Sequence, residues 1–121
     1  MRLFVCDDNA QYRQLARLAL ERAGHEIVGE AGNGAEALEL APAVAADVVL
    51  LDLNMPVMNG LDAVPHLRAR LPGARIVVLT TGQGPDERRR ALAAGADALI
   101  VKPDRIFTLG DELRTALAGL G

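Results

Sequence analysis

The sequence predicts an α/β protein in which helices cover both faces of a parallel sheet. Short apolar runs alternate with segments of helical spacing, and the connections between them are short. The run at residues 48–51 is apolar without alternation, as in a strand that is buried on both faces. Strands joined through helices form a parallel sheet with right-handed crossovers. We expect five strands and five helices in one domain that spans residues 1–121.

The predicted strands lie at residues 3–6, 27–31, 48–51, 75–79 and 98–101. Helix signals follow each of them. The first helix has apolar residues at Leu15, Leu18 and Ala19 and closes at Gly24. Asn33 is the expected N-cap of the second helix, which carries Ala37, Leu38 and Leu40 and stops at Pro42.

The later helices follow the same pattern, with one irregularity. The third is expected over about residues 61–71, and it contains Pro65. A proline in a helix interior costs about 3 kcal/mol, so we expect Pro65 in the first turn or at a distortion. The fourth helix is expected at residues 85–94, before Gly95. The last has one apolar face, and Thr108 and Asp111 are candidate caps; the face comprises Leu109, Leu113, Ala116, Leu117 and Leu120.

Polar groups follow four of the strands at the point where each ends. Asp7 and Asp8 follow the first strand, Asp52 the third, Thr80 the fourth and Lys102 the fifth. The carboxyl ends of parallel strands meet at one edge of the sheet, where open α/β proteins bind ligands. The sequence therefore predicts a site that contains three carboxylates, a hydroxyl and an ammonium group.

These residue types indicate phosphoryl chemistry. Carboxylates about 4 Å apart repel at roughly 4 kcal/mol per pair at an effective dielectric near 20, so a bound cation is expected. Oxygen ligands without histidine or cysteine favour Mg²⁺, with Mn²⁺ as the second candidate. A metal beside an ammonium and a hydroxyl suits the oxygens of a phosphoryl group in transfer. Asp52 ends the central strand and is the best candidate nucleophile, because a carboxylate can form an acyl phosphate.

Composition restricts the class of protein. The net charge of −3 gives no general attraction to nucleic acid or to an anionic membrane. The run from Arg88 to Arg90 is read first as a solvated helix face and second as a partner surface. Cys6 is the single cysteine, which predicts a reducing compartment, and no apolar stretch approaches the ~18 residues of a membrane span. We expect a cytoplasmic protein.

Each polar residue also has a structural interpretation. Asp7 or Asp8 can cap the first helix, Asp52 can be a loop residue, Thr80 an ordinary hydroxyl and Lys102 a solvated side chain. Five such coincidences at strand ends are needed to explain the pattern without a site, so the site is favoured. Tyr12, on the first helix, is assigned equally to core packing and to contact with a partner.

A known family shares these motifs. The Asp7–Asp8 pair, the stretch LLDLNMPVMNG at residues 50–60, Thr80, and Lys102 followed by Pro103 resemble the receiver domain of two-component response regulators over essentially the whole chain. The likeness is to single-domain, chemotaxis-type members. It implies a flavodoxin-like fold with strand order 2-1-3-4-5. It also implies a signalling domain rather than an enzyme, whose only chemistry is self-phosphorylation and autodephosphorylation.

The resemblance implies a role for each site residue. Asp52 would accept a phosphoryl group from the phosphohistidine of a sensor histidine kinase or a histidine phosphotransfer protein. Asp8, Asp52 and the backbone carbonyl of Asn54 would hold Mg²⁺, and Asp7 would reach the metal through water. Lys102 would pair with the phosphoryl group, and Thr80 would turn inward and form a hydrogen bond with it.

The resemblance also assigns structural residues and shows departures. Gly60 would supply backbone freedom at the loop or helix start, and Pro103 would follow a cis peptide bond. Leu99 stands where the family commonly has a Tyr or Phe that rotates as a switch, which puts the aromatic coupling to the site in doubt. Thr81 replaces a smaller residue, so we expect altered phosphorylation or dephosphorylation kinetics. Asp104 makes the following loop more polar than is usual.

Other functions stay open at this stage. A degenerate receiver would act as a phosphorylation-independent interaction module, and a haloacid-dehalogenase-type phosphatase would want an Asp where Asn54 stands. The expected partner after the kinase is a downstream protein target. Because the sequence ends at Gly121 just after the last helix, we expect either a stand-alone receiver or a fragment whose partner is its own output domain. IVGEAGNGAEAL mildly favours descent from DNA-binding regulators, although this domain is expected to bind neither nucleic acid nor membrane. A homodimer is left open.

Overall fold

The fold is an open parallel sheet. A computed structural model describes residues 1–82 and 85–120. Its five strands are β1 (Arg2–Cys6), β2 (Glu26–Ala31), β3 (Val48–Asp52), β4 (Arg75–Thr80) and β5 (Ala98–Val101). They pair in the order β2-β1-β3-β4-β5, and every pairing is parallel. This confirms the flavodoxin-like fold and the predicted strand order.

Helices cover both faces of the sheet. They are α1 (Ala10–Arg22), α2 (Gly34–Leu40), α3 (Gly60–Arg70), α4 (Pro85–Ala94) and α5 (Leu109–Ala118). Two single 3₁₀ turns, Ala41–Ala43 and Ile106–Thr108, follow α2 and precede α5. Apolar residues of α1 and α5 pack on one face, and those of α2, α3 and α4 pack on the other.

The central strand explains why the core has two layers. All five residues of β3 are buried. Val48 and Leu50 contribute to the layer beneath α1 and α5, whereas Val49 and Leu51 contribute to the opposite layer. Successive side chains of a strand point to opposite faces, so a strand covered on both sides is apolar throughout. Asp52, the last residue of this strand, ends the apolar run.

Asparagines, rather than the acidic pair, begin the helices. The side chain of Asn9 accepts a hydrogen bond from the backbone N–H of Tyr12 and is the N-cap of α1, so neither Asp7 nor Asp8 is the cap. Asn33 caps α2 as expected. Asn59 caps α3 in the same way. The side chain of Asp7 instead accepts a bond from the N–H of Asn9 at 2.9 Å.

The structure decides which apolar residues of α1 are buried. Leu15 and Leu18 are 47% and 48% exposed, and the buried residues are Ala16, Ala19 and Leu20. Both sets have helical spacing, so periodicity alone does not decide between them. Small alanines let the helix approach the sheet closely, and this leaves the two leucines on the outer surface.

The structure also revises two expectations about helices, the place of Pro65 in α3 and the role of Thr108 at the start of α5. Pro65 is the sixth residue of α3, in its interior, so the expected place in the first turn is wrong, and the alternative of a distortion at Pro65 stays a prediction. Burial of Ala63, Val64 and Leu67 against the sheet compensates for the hydrogen bond that the proline cannot donate. Thr108 occupies the N-cap position of α5, but its side chain makes no capping bond, and its hydroxyl donates to the carbonyl of Arg105 at 2.8 Å.

The expected cis peptide bond is absent, and within residues 1–82 and 85–120 every peptide bond is trans. The Lys102–Pro103 bond is one of them. Trans is the more stable form of an X-Pro bond by about 0.5–1 kcal/mol. Lys102 is positioned by other contacts, since its backbone N–H donates to the carbonyl of Thr80 at 2.7 Å. None of the described helices has the length and apolar character required to cross a membrane.

Candidate functional site at the carboxyl edge of the sheet

The structure brings the predicted acidic residues together. Asp7 follows β1, Asp52 is the last residue of β3, and Asp8 lies on the loop before α1. One carboxylate oxygen from each of the three lies within 4.8 Å of the others. Asp7 and Asp52 are buried, and Asp8 is exposed. The parallel register places these strand ends side by side, so the cluster follows directly from the topology.

Asp52 is a buried carboxylate. It is 5% exposed, and its Oδ1 accepts a bond from the N–H of Asn54 at 3.3 Å. Burial, followed by the charge of Asp7, raises the pKa of Asp52 above its usual range, while Lys102 and the Asn54 N–H oppose that shift. The ionised form is therefore less stable here than in water, and a positive group beside this carboxylate relieves the imbalance.

Lys102 bridges the two buried acids. Its Nζ donates to Asp7 Oδ2 at 2.8 Å and lies 3.5 Å from Asp52 Oδ2. The same ammonium lies 4.2 Å from the ring centroid of Tyr12. Three carboxylates and one ammonium leave two negative charges at the cluster. A divalent cation with a preference for oxygen ligands fits this charge and this donor set.

Tyr12 belongs to the wall of the site. Its side chain is half-buried against the core layer under α1 and α5, and its ring faces Lys102. Burial, with the charges of Asp7 and Asp52, raises the pKa of Tyr12 to about 12. Core packing is therefore one of its roles, and the alternative of a contact with the partner stays a prediction.

The hydroxyl of Thr80 is engaged on the side of α4. Thr80 is 1% exposed, and its Oγ1 accepts a bond from the N–H of Gly82 at 2.8 Å. The same Oγ1 donates to the carboxylate of Glu87 on α4. Glu87 was not predicted from the sequence. Its one signal is an acidic residue in the first turn of the helix that follows Thr80, and such residues are common because they favour helix N-termini.

A second residue that the sequence analysis missed is Arg13. Its guanidinium donates to the backbone carbonyl of Asp7 and lies 3.3 Å from Glu30 on β2. Arg17 binds the same Glu30 at 2.6 Å. These contacts tie α1 to β2 beneath the acidic pair, and they fix the turn from which Asp7 and Asp8 project.

Gly60 has a structural role for a reason other than the expected one. The positive-φ glycines of the described chain are Gly24 and Gly95, so Gly60 is not there for its backbone angles. Its N–H donates to the carbonyl of Leu53 at 3.0 Å. A Cβ at this position would overlap the carbonyl group of Asp52 and approach Leu53 Cα at 3.0 Å. Gly60 thus allows α3 to begin directly against the backbone of the proposed nucleophile.

The three departures from the family pattern differ in burial. Leu99 is 9% exposed and packs with Ala91 and Ala96 in the core layer that includes α4. Thr81 and Asp104 are exposed. An aliphatic side chain fixed in the core in this way cannot act as a rotating aromatic ring, in agreement with the expectation.

Comparison with known proteins identifies the family of the chain. The family model described as the response regulator receiver domain matches residues 3–114. The chain is 42% identical over 120 residues to the chemotaxis protein CheY1 of Helicobacter pylori, strain J99, with 97% of each chain covered. It is 39% identical over 117 residues to the transcriptional regulatory protein PdtaR of Mycobacterium tuberculosis, with 97% of this chain and 57% of that protein covered.

Solved structures agree with the sequence relatives. The signal receiver domain of NarL from Mycobacterium tuberculosis superposes with a TM-score of 0.87 at 31% identity, covering 98% of this chain and 96% of that chain. The match therefore spans nearly all of a chemotaxis protein and a receiver domain, but little more than half of a transcriptional regulator. With the strand order, the acidic edge and these matches together, the chain belongs to the response regulator receiver domain family of two-component signalling.

Proposed function

We propose that Asp52 is the phosphoacceptor of this receiver. A carboxylate oxygen of Asp52 attacks the phosphorus of a phosphohistidine on a sensor histidine kinase or a histidine phosphotransfer protein. The P–N bond breaks, the imidazole keeps its electron pair and takes up a proton, and an acyl phosphate forms on Asp52. The observation that carries the proposal is the buried Asp52 carboxylate beside Lys102 and the two other acids. Hydrolysis of the acyl phosphate by water resets the domain.

Lys102 is proposed to balance the charge of the phosphoryl group. Its ammonium already lies 3.5 Å from Asp52 Oδ2, so it reaches the developing charge with a small movement. The stronger contact to Asp7 holds it in place before the reaction. The ring of Tyr12 contacts the ammonium group of Lys102 and restricts its movement. The side chain is thus oriented in advance, which reduces the reorganisation needed during transfer.

The acidic cluster is proposed as a magnesium site. Asp8, Asp52 and the backbone carbonyl of Asn54 would hold Mg²⁺, with Asp7 acting through water, and Mn²⁺ fits the same oxygen ligands. The close approach of the three carboxylates supports this assignment. When bound, the metal supplies positive charge for the phosphoryl oxygens. The burial of Asp7 behind Lys102 is the reason to assign it an indirect role.

We propose that residues 1–121 form one cytoplasmic receiver domain that switches binding to a downstream protein. The family's signalling role and the buried, unpaired Cys6 support this location. Exposed Leu15 and Leu18 on α1 offer an apolar surface for the phosphodonor. Arg88, Arg89 and Arg90 are all exposed on α4 and offer a basic surface for the target. A degenerate, unphosphorylated module has no use for this repelling set of acids.

Covalent phosphorylation tests the proposal directly. Incubation with Mg²⁺ and a small phosphodonor such as acetyl phosphate is expected to add one base-labile phosphate, which peptide mass spectrometry assigns to Asp52. Excess chelator is expected to slow the reaction by at least about tenfold, because the metal offsets charge in the transition state. Asp62→Asn, an exposed carboxylate on α3, is a matched control that keeps the rate. A stable phosphate, or one on another residue, would contradict the proposal.

Thr81 offers a test of how access to Asp52 is controlled. Thr81→Ala removes bulk from an exposed residue next to Thr80, so the phosphodonor or the hydrolytic water is expected to reach Asp52 more easily. We expect the phosphorylation or dephosphorylation rate to change by about threefold, which corresponds to less than 1 kcal/mol. The measurement is the time course of acyl phosphate formation and decay. Equal rates for the two proteins would show that this side chain does not control access.

A further inference from the structure

The hydroxyl of Thr80 has one proton, and the structure commits that proton to Glu87. Oγ1 of Thr80 donates to the Glu87 carboxylate and accepts the N–H of Gly82. A hydroxyl donates one hydrogen bond. In order to bond a phosphoryl oxygen on Asp52, Thr80 must therefore give up the bond to Glu87. A hydrogen bond to an ionised acceptor is stronger than a neutral one, so this exchange has a measurable energy.

Gly82 has no side chain to compete with the Glu87 carboxylate for space. A Cβ on Gly82 would overlap both carboxylate oxygens of Glu87. The carboxylate therefore lies directly over the Gly82 Cα, in space that any other residue would fill. The absence of a side chain at Gly82 therefore leaves room for Glu87 in this position. Thr80 is 1% exposed, so little water competes for its proton.

Leu99 makes this contact more important. The aromatic side chain that commonly senses the hydroxyl is replaced by a leucine, which is fixed in the core beside Ala91 of α4. The Thr80–Glu87 bond joins the end of β4 to the first turn of α4. Loss of this bond frees the α4 carboxylate, so the phosphorylation state can be transmitted to α4 without an aromatic rotation.

We infer that Glu87 is a positioning residue that holds the Thr80 hydroxyl in the unphosphorylated protein and competes with the phosphoryl group for its proton. The inference rests on the proposed phosphoacceptor role of Asp52. In the free protein, Glu87 disfavours the arrangement in which the Thr80 hydroxyl donates a hydrogen bond to a phosphoryl group on Asp52. After phosphorylation, Thr80 bonds the phosphoryl oxygen and Glu87 is released toward solvent. Glu87 therefore lowers the affinity of the site for a phosphoryl group and couples that affinity to α4.

Binding of beryllium fluoride, a phosphoryl mimic, measures this competition in the presence of Mg²⁺. Glu87→Ala removes the competing acceptor, and we expect about tenfold tighter binding by calorimetry, equivalent to ~1.4 kcal/mol. Glu87→Gln keeps an oxygen acceptor but loses its charge, so a smaller gain of about threefold is expected. Gly82→Ala displaces the carboxylate without removing it and should shift affinity in the same direction. Asp86→Asn, an exposed neighbour on the same turn, is the control and should bind as the parent protein does.

A double-mutant cycle separates this competition from a general effect of charge. In a Thr80→Ala background, Glu87→Ala is expected to change the affinity by less than about twofold, because no hydroxyl proton remains to be shared. A long-range charge effect would persist in that background. Amide NMR spectra provide a second readout, since Glu87→Ala should shift the α4 signals of the free protein toward those of the beryllium fluoride complex.

The outcomes are distinct. Beryllium fluoride binding that depends on Asp52 but is insensitive to Glu87 overturns this inference and leaves the phosphoacceptor role intact. The inference is likewise overturned by an equal effect of Glu87→Ala with and without the Thr80 hydroxyl. Absence of any Asp52-dependent binding in the parent protein overturns both. A gain in affinity that requires Thr80 supports the inference.

Discussion

Replacing Asp52 with asparagine is expected to abolish phosphorylation and, in the same protein, to increase stability. The amide cannot act as the nucleophile, so no acyl phosphate forms with Mg²⁺ and acetyl phosphate. At the same time the substitution removes a buried charge that is repelled by Asp7. Without metal, the folded protein should gain on the order of 1 kcal/mol, or about 3–6 °C in Tm for a chain of this size.

The pH dependence of this gain has a defined sign. The pKa of Asp52 is raised in the folded state above its usual value of 3.8. Below that value the group is protonated in both folded and unfolded chains, so it causes no loss of stability. As pH rises through the folded pKa, ionisation in the folded state is disfavoured and its contribution to stability is lost. The advantage of Asp52→Asn should therefore be near zero in acid and reach its full size at neutral pH.

Thermal unfolding in chelator, followed by circular dichroism from acid to neutral pH, measures this difference. Mg²⁺ should reverse the order, because the parent protein binds the metal more tightly than the variant does and is stabilised by it. Asp62→Asn is again the control, since it removes an exposed carboxylate with the same change in charge. A variant that still takes up phosphate, or that is less stable than the parent at neutral pH in chelator, would contradict the assignment of Asp52.

Gly60→Ala is expected to cause the largest loss of stability among single-methyl changes at the site. The new Cβ would overlap the carbonyl of Asp52 and approach Leu53 Cα at 3.0 Å, and both contacts are backbone. Backbone cannot rotate away as a flexible side chain can, so either α3 or the end of β3 must move. Overpacking of this kind costs about 1–3 kcal/mol, and we expect a value near the upper limit. The fall in Tm should be about 10 °C.

The same displacement should affect the chemistry. Moving the backbone of Asp52 changes the position of its carboxylate relative to Lys102, and small displacements of a nucleophile reduce rates strongly. We expect phosphorylation to slow by at least about tenfold. Gly73→Ala is the matched control, because a Cβ there meets nothing within 4 Å, and its Tm should change little. Equal Tm values for the two variants would show that α3 adapts to the methyl group.

A large part of the site was predictable because topology alone places strand ends together. Asp7, Asp8, Asp52, Thr80 and Lys102 were identified from their positions after apolar runs, and all five lie at the same edge of the sheet. The prediction needed only the alternation of strands and helices and the rule that parallel strands end on one side. Helix caps were less predictable, since Asn9 follows two acids that can also cap a helix. The structure selects Asn9, whose side chain accepts a hydrogen bond from the backbone N–H of Tyr12.

Side-chain pairing required the tertiary structure. Glu87 is one of several acids near a helix start, and nothing in its local sequence distinguishes it as the acceptor for Thr80. The buried face of α1 was not predictable because alanines and leucines both recur at helical spacing, and only packing selects one set. The prediction of a cis bond before Pro103 was wrong for a similar reason, since an X-Pro sequence permits either the cis or the trans form.

The amino-acid sequence by itself determined the order of elements, the two-layered core and the acidic edge, because hydrophobic periodicity is a local property of the chain and strands joined through helices run parallel. The tertiary structure alone decided which charges meet. Lys102 lies between Asp7 and Asp52, Glu87 holds the Thr80 hydroxyl, and Gly60 admits α3 against the backbone of β3. These contacts join residues of different strands, helices and loops, so they exist only once the sheet and helices have packed.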